Sequence, residues 1–446
     1  MSARDTDSHA TGAARAPSRY RVRWVMLAYL FGFAFVVYMQ RTSFSVAAVQ
    51  MMPELGISQV QLGWLMTAYL LTYTVFQLPG GVFGQWVGAR RGLVIITLAA
   101  LVATLATPLA PLLCAGAVLT GVLLLSRLVV GTAHAPLFPI SMGVIESWFP
   151  SGQWGWPNGL QTAGLHLGSA AATPLIAILM VSYGWKAALA WTSLPVLLLV
   201  AGWGWYGRNR PSEHGSVSAA ELAELDGNDR PPATTINRRD LLRVLANRDI
   251  LLLFCSYTIM NYVFYLLGSW SFLYLVQERH LSVPDSGLLG SLPFIAAAIG
   301  SAAGGRLADV LAVRLGPRLG YRLVPLIVLP LSGLLLYAGV KVGSPLWAVA
   351  ALSLAYGTIE MTEGIYSAAT TAVAREHTMA AWGVVGTGGN LGGIIGTPIV
   401  AWLSASGHWN AAFLTGTVAA VVSGILWLWV DGSRVLAPAA DSGHRN

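Results

Sequence analysis

Five ionisable residues stand inside stretches that are otherwise apolar: Arg41, Arg127, His134, Glu360 and Glu363. An arginine in the middle of a membrane-crossing helix costs roughly 2.5–3.5 kcal/mol and persists only with a partner or a water-lined cavity. A guanidinium offers a planar fork of donors that matches a carboxylate, so Arg41 and Arg127 point to recognition of an anion. The competing reading is structural, with one or both bonded to backbone carbonyls or to Gln40. His134 follows Arg127 by two helical turns on nearly the same face, and an imidazole with an unperturbed pKa of about 6.5 takes and releases a proton near neutrality. A lone histidine can equally be a neutral hydrogen-bonding group. Glu360 and Glu363 are three residues apart and share a helix face. Two like charges there disfavour double ionisation, which suits one of them, Glu363 above all, to carry a proton. The alternative is that one glutamate pairs with His134 or Arg127 and holds a cavity shut. Asn261, Tyr262 and Tyr265 group on one helix face and Tyr69 and Tyr73 lie four apart, so both sets can offer hydrogen bonds to a polar ligand; Trp270, near a helix end, fits an interfacial anchor better.

The elements that must hold these residues are membrane helices. The 446-residue chain is 55% hydrophobic and 10% charged, against roughly 45–50% and 25% in ordinary soluble domains, which excludes a soluble globular enzyme. A bilayer core needs about 20 apolar helical residues, and the apolar stretches do not alternate as barrel strands would. Twelve spans are predicted, at 22–49, 61–86, 92–113, 116–148, 157–182, 186–207, 249–277, 286–314, 321–341, 345–375, 380–405 and 409–431. A polar stretch at 208–248 reads as a linker between bundles at 22–207 and 249–431, with tails at 1–21 and 432–446. With an N-terminus in the cytoplasm, twenty-one arginines fall on the cytoplasmic side, three cations (Lys186, Arg279, Lys341) on the other and two within the membrane. That satisfies the positive-inside rule, predicts both termini in the cytoplasm, and removes the net charge of +7 as a sign of nucleic-acid binding. Cys114 and Cys255 read as buried small hydrophobes, and the first apolar stretch outruns a cleavable signal, so no processing is expected.

The two bundles repeat. At an offset of 224 residues Gly80-Gly81 matches Gly304-Gly305, Arg90 matches Arg314, Gly168 matches Gly392, Thr173-Pro174 matches Thr397-Pro398 and Trp185 matches Trp409. Two six-helix bundles in parallel repeat place a substrate site near the midplane where the halves meet.

The loop Gly81-Val-Phe-Gly84-Gln85-Trp-Val-Gly88-Ala-Arg90-Arg91, echoed by Gly305-Arg-Leu-Ala-Asp309, resembles the signature of the major facilitator superfamily. Arg41-Thr-Ser-Phe-Ser-Val, Gln77-Leu-Pro-Gly-Gly, Arg127 with His134-Ala-Pro-Leu-Phe-Pro139, and Gly388-Gly-Asn390-Leu-Gly-Gly resemble its anion:cation symporter branch. The resemblance implies the fold of that superfamily, a cavity lined by spans 1, 4, 7 and 10 with Arg41 and Arg127 facing one another across it, and an organic anion such as a sugar acid as substrate. It implies polar substrate contact by Asn390, to which the helix-face spacing adds Asn261, Tyr265 and Tyr73, the last equally suited to packing, and it implies conformational gating by Gly81, Gln85, Arg90 and Asp309. Three departures stand out. Gln85 replaces the usual loop aspartate, an acid that pairs with loop arginines, while the second copy keeps Asp309. Gln40 and His134 stand where acids credited with proton coupling usually stand, which leaves Glu360 and Glu363 as candidate replacements.

The resulting expectation is a proton-coupled transporter of a small organic anion in the inner membrane, with the anion, protons and lipid as partners, no nucleic acid, no cofactor and a monomeric chain. An uncoupled facilitator or exporter and a non-transporting sensor are the alternatives. An enzyme is not expected: no nucleophile–base set, metal-spaced cluster or phosphate loop occurs, and the glycines at 388–396 lie within an apolar helix.

Overall fold

The computed structural model describes residues 21–225, 237–280, 289–405 and 407–436. Most of both predicted tails, the centre of the linker at 226–236 and the predicted start of span 8 at 286–288 lie outside the described residues. Among the described residues the chain is helical and contains no strand. Twelve spans account for the long helices once their joints are recognised. Spans 5 and 6 share the continuous run Gly155–Ser193, which turns at Gly184 (φ 76°). Spans 8 and 9 share Leu292–Lys341, which turns at Gly316 (φ 80°). These left-handed turns suit glycine, which has no Cβ to clash there.

Packing is arranged for lipid. Val102, Leu113, Val181 and Leu198 are 70–87% exposed, while Leu30, Phe33, Trp203, Leu329 and Tyr366 are almost fully enclosed. Exposed tryptophans ring the bundle near helix ends, among them Trp64, Trp86, Trp205 and Trp347, as an interfacial belt requires. Cys255 corrects the sequence reading: it is exposed on the outer surface of span 7 rather than buried.

The repeat is written in the helix contacts. A Cβ on Gly168 of span 5 would sit 2.1 Å from the Phe35 carbonyl of span 1, and one on Gly392 of span 11 would sit 2.1 Å from the Thr258 carbonyl of span 7. Glycine lets these backbones approach to a distance that any side chain would forbid.

Spans 2, 4 and 10 are broken, each about midway. Span 2 is Gln59–Val75 followed by Gln77–Val87, and span 4 is Gly116–His134 followed by Leu137–Trp148. Pro136 and Pro139 explain the second break, because proline removes a backbone donor and clashes with the preceding turn. Span 10 is Pro345–Glu360 followed by Glu363–Ala374, with no proline at the joint. Glycines of spans 2 and 8 cushion the breaks in spans 4 and 10: Gly80 abuts Pro136 and Gly304 abuts the Met361 backbone.

Chain entry, linker and exit gather at one end. The Glu221 carboxylate accepts from the backbone N–H groups of Val22 and Arg23 at 3.1 and 3.2 Å, and so caps the start of span 1. Arg23 binds Glu224 and holds that carboxyl below the usual carboxylate range. The Asp431 N–H, just past span 12, donates to Asp249 at the start of span 7 at 2.9 Å. This end, which also carries Arg90, Arg91, Arg314 and Arg318, is called the basic end below.

Candidate functional site

The two halves enclose a cavity near mid-depth with a free volume of about 50 Å³, room for a few water-sized groups. Its wall draws on both halves. Tyr38, Tyr73, Gln77 and His166 come from spans 1, 2 and 5; Tyr257, Asn261, Tyr265, Glu360, Glu363 and Asn390 come from spans 7, 10 and 11.

Arg41 stands next to this cavity but outside its lining, one turn beyond the lining residue Tyr38. Its guanidinium lies 5.3 Å from the Tyr38 ring centre and 5.4 Å from that of Tyr69, and Nη1 donates to the Tyr38 hydroxyl at 3.5 Å. The Tyr265 hydroxyl approaches Arg41 from the other half and donates to the Asn390 side-chain oxygen at 3.3 Å. Arg41, Tyr265 and Asn390 therefore form a polar line across the interface between the halves. Among the described residues no carboxylate lies within ion-pair distance of Arg41.

Arg127 does not face Arg41 across the cavity, which corrects the expected arrangement. Both belong to the first half and flank the same ring: Arg127 lies 4.9 Å from the Tyr69 centre and 4.0 Å from that of Phe44. Its side chain is buried and its Nε has no partner. His134 joins the same hub, its Nδ1 3.3 Å from the Tyr69 hydroxyl, and Tyr73 stacks on Tyr69 at 5.7 Å.

The glutamates are partnered, but not as expected. Glu360 pairs neither with His134 nor with Arg127; its Oε2 lies 2.8 Å from Nε2 of His166 in span 5, with both side chains 1% exposed. Glu363 accepts from the Tyr257 hydroxyl at 2.6 Å. His166 was missed because a lone histidine in the Gly- and Ala-rich run 164–172 carries no spacing signal, and its partner lies 194 residues away. Asn261 lines the cavity while its amide donates to the Tyr257 carbonyl. Tyr262 does not share that face: its hydroxyl bonds to Thr415 of span 12. The Trp270 indole N–H is enclosed within the protein although the residue as a whole is half-buried.

At the basic end the halves touch backbone to backbone. A Cβ on Gly81 would lie 2.2 Å from the Met379 carbonyl, and one on Gly305 would lie 2.1 Å from the Gly155 carbonyl. Positions 155 and 379 are themselves 224 apart, so the two crossings are repeats of each other. Asp309 accepts from the Gly155 and Trp156 N–H groups at 2.8 and 2.7 Å. It thus caps the start of span 5, where a carboxylate meets free amides and the positive end of the helix dipole. Asp309 therefore does not pair with a loop arginine. Gln85, its counterpart, donates to the Glu376 carbonyl at 3.0 Å, and Arg375 reaches Ser151 at 3.2 Å. Arg90 plays a local part, donating to the Gly204 carbonyl at the end of span 6. The cavity is thereby sealed toward the basic end.

Residues 30–372 and 280–443 match the description Major Facilitator Superfamily. The chain belongs to the Major Facilitator Superfamily. This superfamily member is a multi-pass membrane transporter and not an enzyme. It is 26% identical over 423 residues to the probable sulfoacetate transporter of Cupriavidus necator, covering 93% of this chain and 95% of the relative. It is 26% identical to the probable galactarate/D-glucarate transporter of Bacillus subtilis, with 92% and 93% covered. Identity to the D-galactonate transporter of Escherichia coli is 27%, with 91% and 94% covered. Among solved structures, the proton:xylose symporter superposes with a TM-score of 0.74 at 13% identity, covering 94% of this chain and 98% of that one. The E. coli fucose:proton symporter gives 0.69 at 14%, covering 92% and 100%. At those identities the likeness speaks for the fold, in agreement with the two repeated bundles.

Proposed function

We propose that this superfamily member carries a small organic anion, a carboxylate of sugar-acid type, across the inner membrane by rocking its two halves about the central cavity, with protons as the coupling ion. The observation that carries the reading is Arg41: a cation next to the cavity, ringed by Tyr38, Tyr69 and Tyr265, with no carboxylate to balance it among the described residues. A half-buried arginine in a membrane helix without a counter-ion is costly, and an anionic substrate supplies the missing partner. Asn390, Tyr265, Asn261 and Tyr73 supply hydrogen bonds to hydroxyls. The relatives' names, which speak of sulfoacetate, galactarate, glucarate and galactonate, support an organic anion. The backbone contacts at Gly81 and Gly305 close the cavity toward the basic end, which supports a cycle in which the halves part to load and release. Coupling rests on the span 10 carboxylates Glu360 and Glu363, with His134 as a further proton site beside Tyr69. The basic end is assigned to the cytoplasm, so the seal through Asp309 and Gln85 faces inward.

A thermal-shift screen of sulfoacetate, D-galactonate and D-glucarate against purified protein tests the reading. A stabilising anion is expected, with loss of the shift in Arg41→Ala; stabilisation by neutral or cationic compounds alone overturns it. In proteoliposomes Glu363→Gln is expected to abolish uptake driven by a pH gradient, and intact uptake in that variant removes Glu363 from the coupling.

A further inference from the structure

The His166–Glu360 contact in the cavity wall joins the two halves. His166 belongs to span 5 and Glu360 to span 10, and both are almost fully enclosed. His166 lies seven residues, roughly 10 Å along its helix, from Gly159, whose Cβ position is 2.1 Å from the Ser301 carbonyl of span 8. The contact therefore lies in the cavity wall, on the side of the basic-end seal. Glu360 ends one segment of the broken span 10 and its Oε1 has no protein partner.

We propose that His166 and Glu360 form a proton-operated latch between the halves, one that must part before the basic end can open. The inference rests on the rocking motion proposed above, but not on the identity of the substrate. In the closed form one proton lies on the Nε2–Oε2 line, and the histidinium–carboxylate attraction ties span 5 to span 10. A second proton, arriving from the cavity at the free Oε1, neutralises the carboxylate. The histidinium then has no counter-charge, and the halves separate. Once the cavity communicates with the basic end, the carboxylic acid releases that proton there, and the pair re-forms when the halves close. The latch itself carries one proton in each opening and closing.

The groups that face the latch fit this assignment. Span 10 adds Glu363, one turn on, already held by Tyr257 of span 7, and Tyr356, whose ring meets His166 at 5.7 Å. Span 7 adds Phe264, 6.2 Å from the His166 ring, and Tyr265. Span 1 contributes Tyr38 and span 11 contributes Trp382 and Asn390, none of them charged. On span 8 the charged residues Arg306 and Asp309 lie further toward the basic end. No described cation other than His166 pairs with Glu360.

The test reads conformation without any substrate. Spin labels are placed at Arg91→Cys and Arg314→Cys, exposed positions at the basic end of opposite halves, in a Cys114→Ser, Cys255→Ser background. The distance between them is measured by double electron–electron resonance from about pH 8 to about pH 4, a range that spans the ordinary histidine and glutamate values. A second, longer distance is expected to grow as pH falls. Glu360→Gln, which imitates the protonated carboxyl, should show the long distance at every pH, and His166→Gln should lose the pH dependence. A distance independent of pH in the unsubstituted latch, or a pH response preserved in both variants, overturns the proposal. If none of the anions binds but the distance still responds to pH as described, the substrate reading falls and the latch stands.

Discussion

Tyr69 connects three charged or titratable side chains that the sequence presents as separate features. Its ring lies under both Arg41 and Arg127, and its hydroxyl meets His134. A ring face over a guanidinium contributes about 0.5–2 kcal/mol, so the ring rather than the hydroxyl holds the two cations in place. Tyr69→Phe is therefore expected to bind the transported anion within about threefold of the parent, whereas Tyr69→Ala should weaken binding by roughly 3–30-fold, as titration calorimetry would register. Equal losses in the two variants would assign the role to the hydroxyl. Arg41 was legible because an arginine deep in an apolar stretch demands an explanation. The arrangement of Arg127 was not, since helix spacing fixes depth along a span but not which neighbour its side chain meets. Arg41→Lys should bind the anion roughly ten- to a hundredfold more weakly, because a charge-assisted hydrogen bond contributes about 1.5–3 kcal/mol and an ammonium cannot make the paired contact.

Helix crossings separate glycines that stabilise a half from glycines that let the halves close. Gly304 and Gly305 are neighbours on span 8, yet a Cβ on the first meets Met361 of its own half at 2.0 Å and a Cβ on the second meets Gly155 of the other half at 2.1 Å. Overpacking costs typically about 1–3 kcal/mol. Gly304→Ala should lower the thermal midpoint in detergent whatever the conformation. Gly305→Ala should leave the midpoint of the open form nearly unchanged and deplete the closed form, read by the label pair at 91 and 314. A fall in midpoint that is the same for both would mean that the two crossings are not independent. The glycine pairs were legible through the 224-residue repeat, and the break in span 4 through Pro136 and Pro139. The break in span 10 was not, because its cause is the fit of Met361 against Gly304, which no local residue pattern announces. The linker clasp has its own pH signature. Arg23 holds the Glu224 carboxyl below its usual range, so the clasp contributes stability above the ordinary carboxylate pKa of about 4.3 and loses it as pH falls below that value. Glu224→Gln should flatten the acid side of the midpoint-against-pH curve.

At the scale of the whole molecule, the start of span 1, the linker and the residues after span 12 meet at one end. Glu221 caps span 1, and Asp249 binds the Asp431 backbone. Each half therefore crosses the membrane an even number of times, and orientation reduces to a single choice for the entire chain. Three cations, Lys186, Arg279 and Lys341, fall at the other end, and all are engaged locally, Lys341 over the Tyr337 ring. Lys186 pairs with Glu54 at 2.6 Å, and Arg279 donates to the Gly339 and Val340 carbonyls. The described arginines at the basic end outnumber these three cations even though several are paired, as Arg23 is with Glu224 and Arg318 with Asp431, and translocating loops so charged is strongly disfavoured. The proposed orientation, with the basic end in the cytoplasm, predicts that an impermeant maleimide labels Gly343→Cys in intact cells and leaves Arg91→Cys unlabelled until the membrane is opened. Gly343 is exposed and a side chain there meets nothing within 4 Å, so the substitution itself should not disturb the fold. The opposite labelling pattern would place the Asp309 and Gln85 seal on the outer face, and would reverse the direction in which the latch delivers its proton.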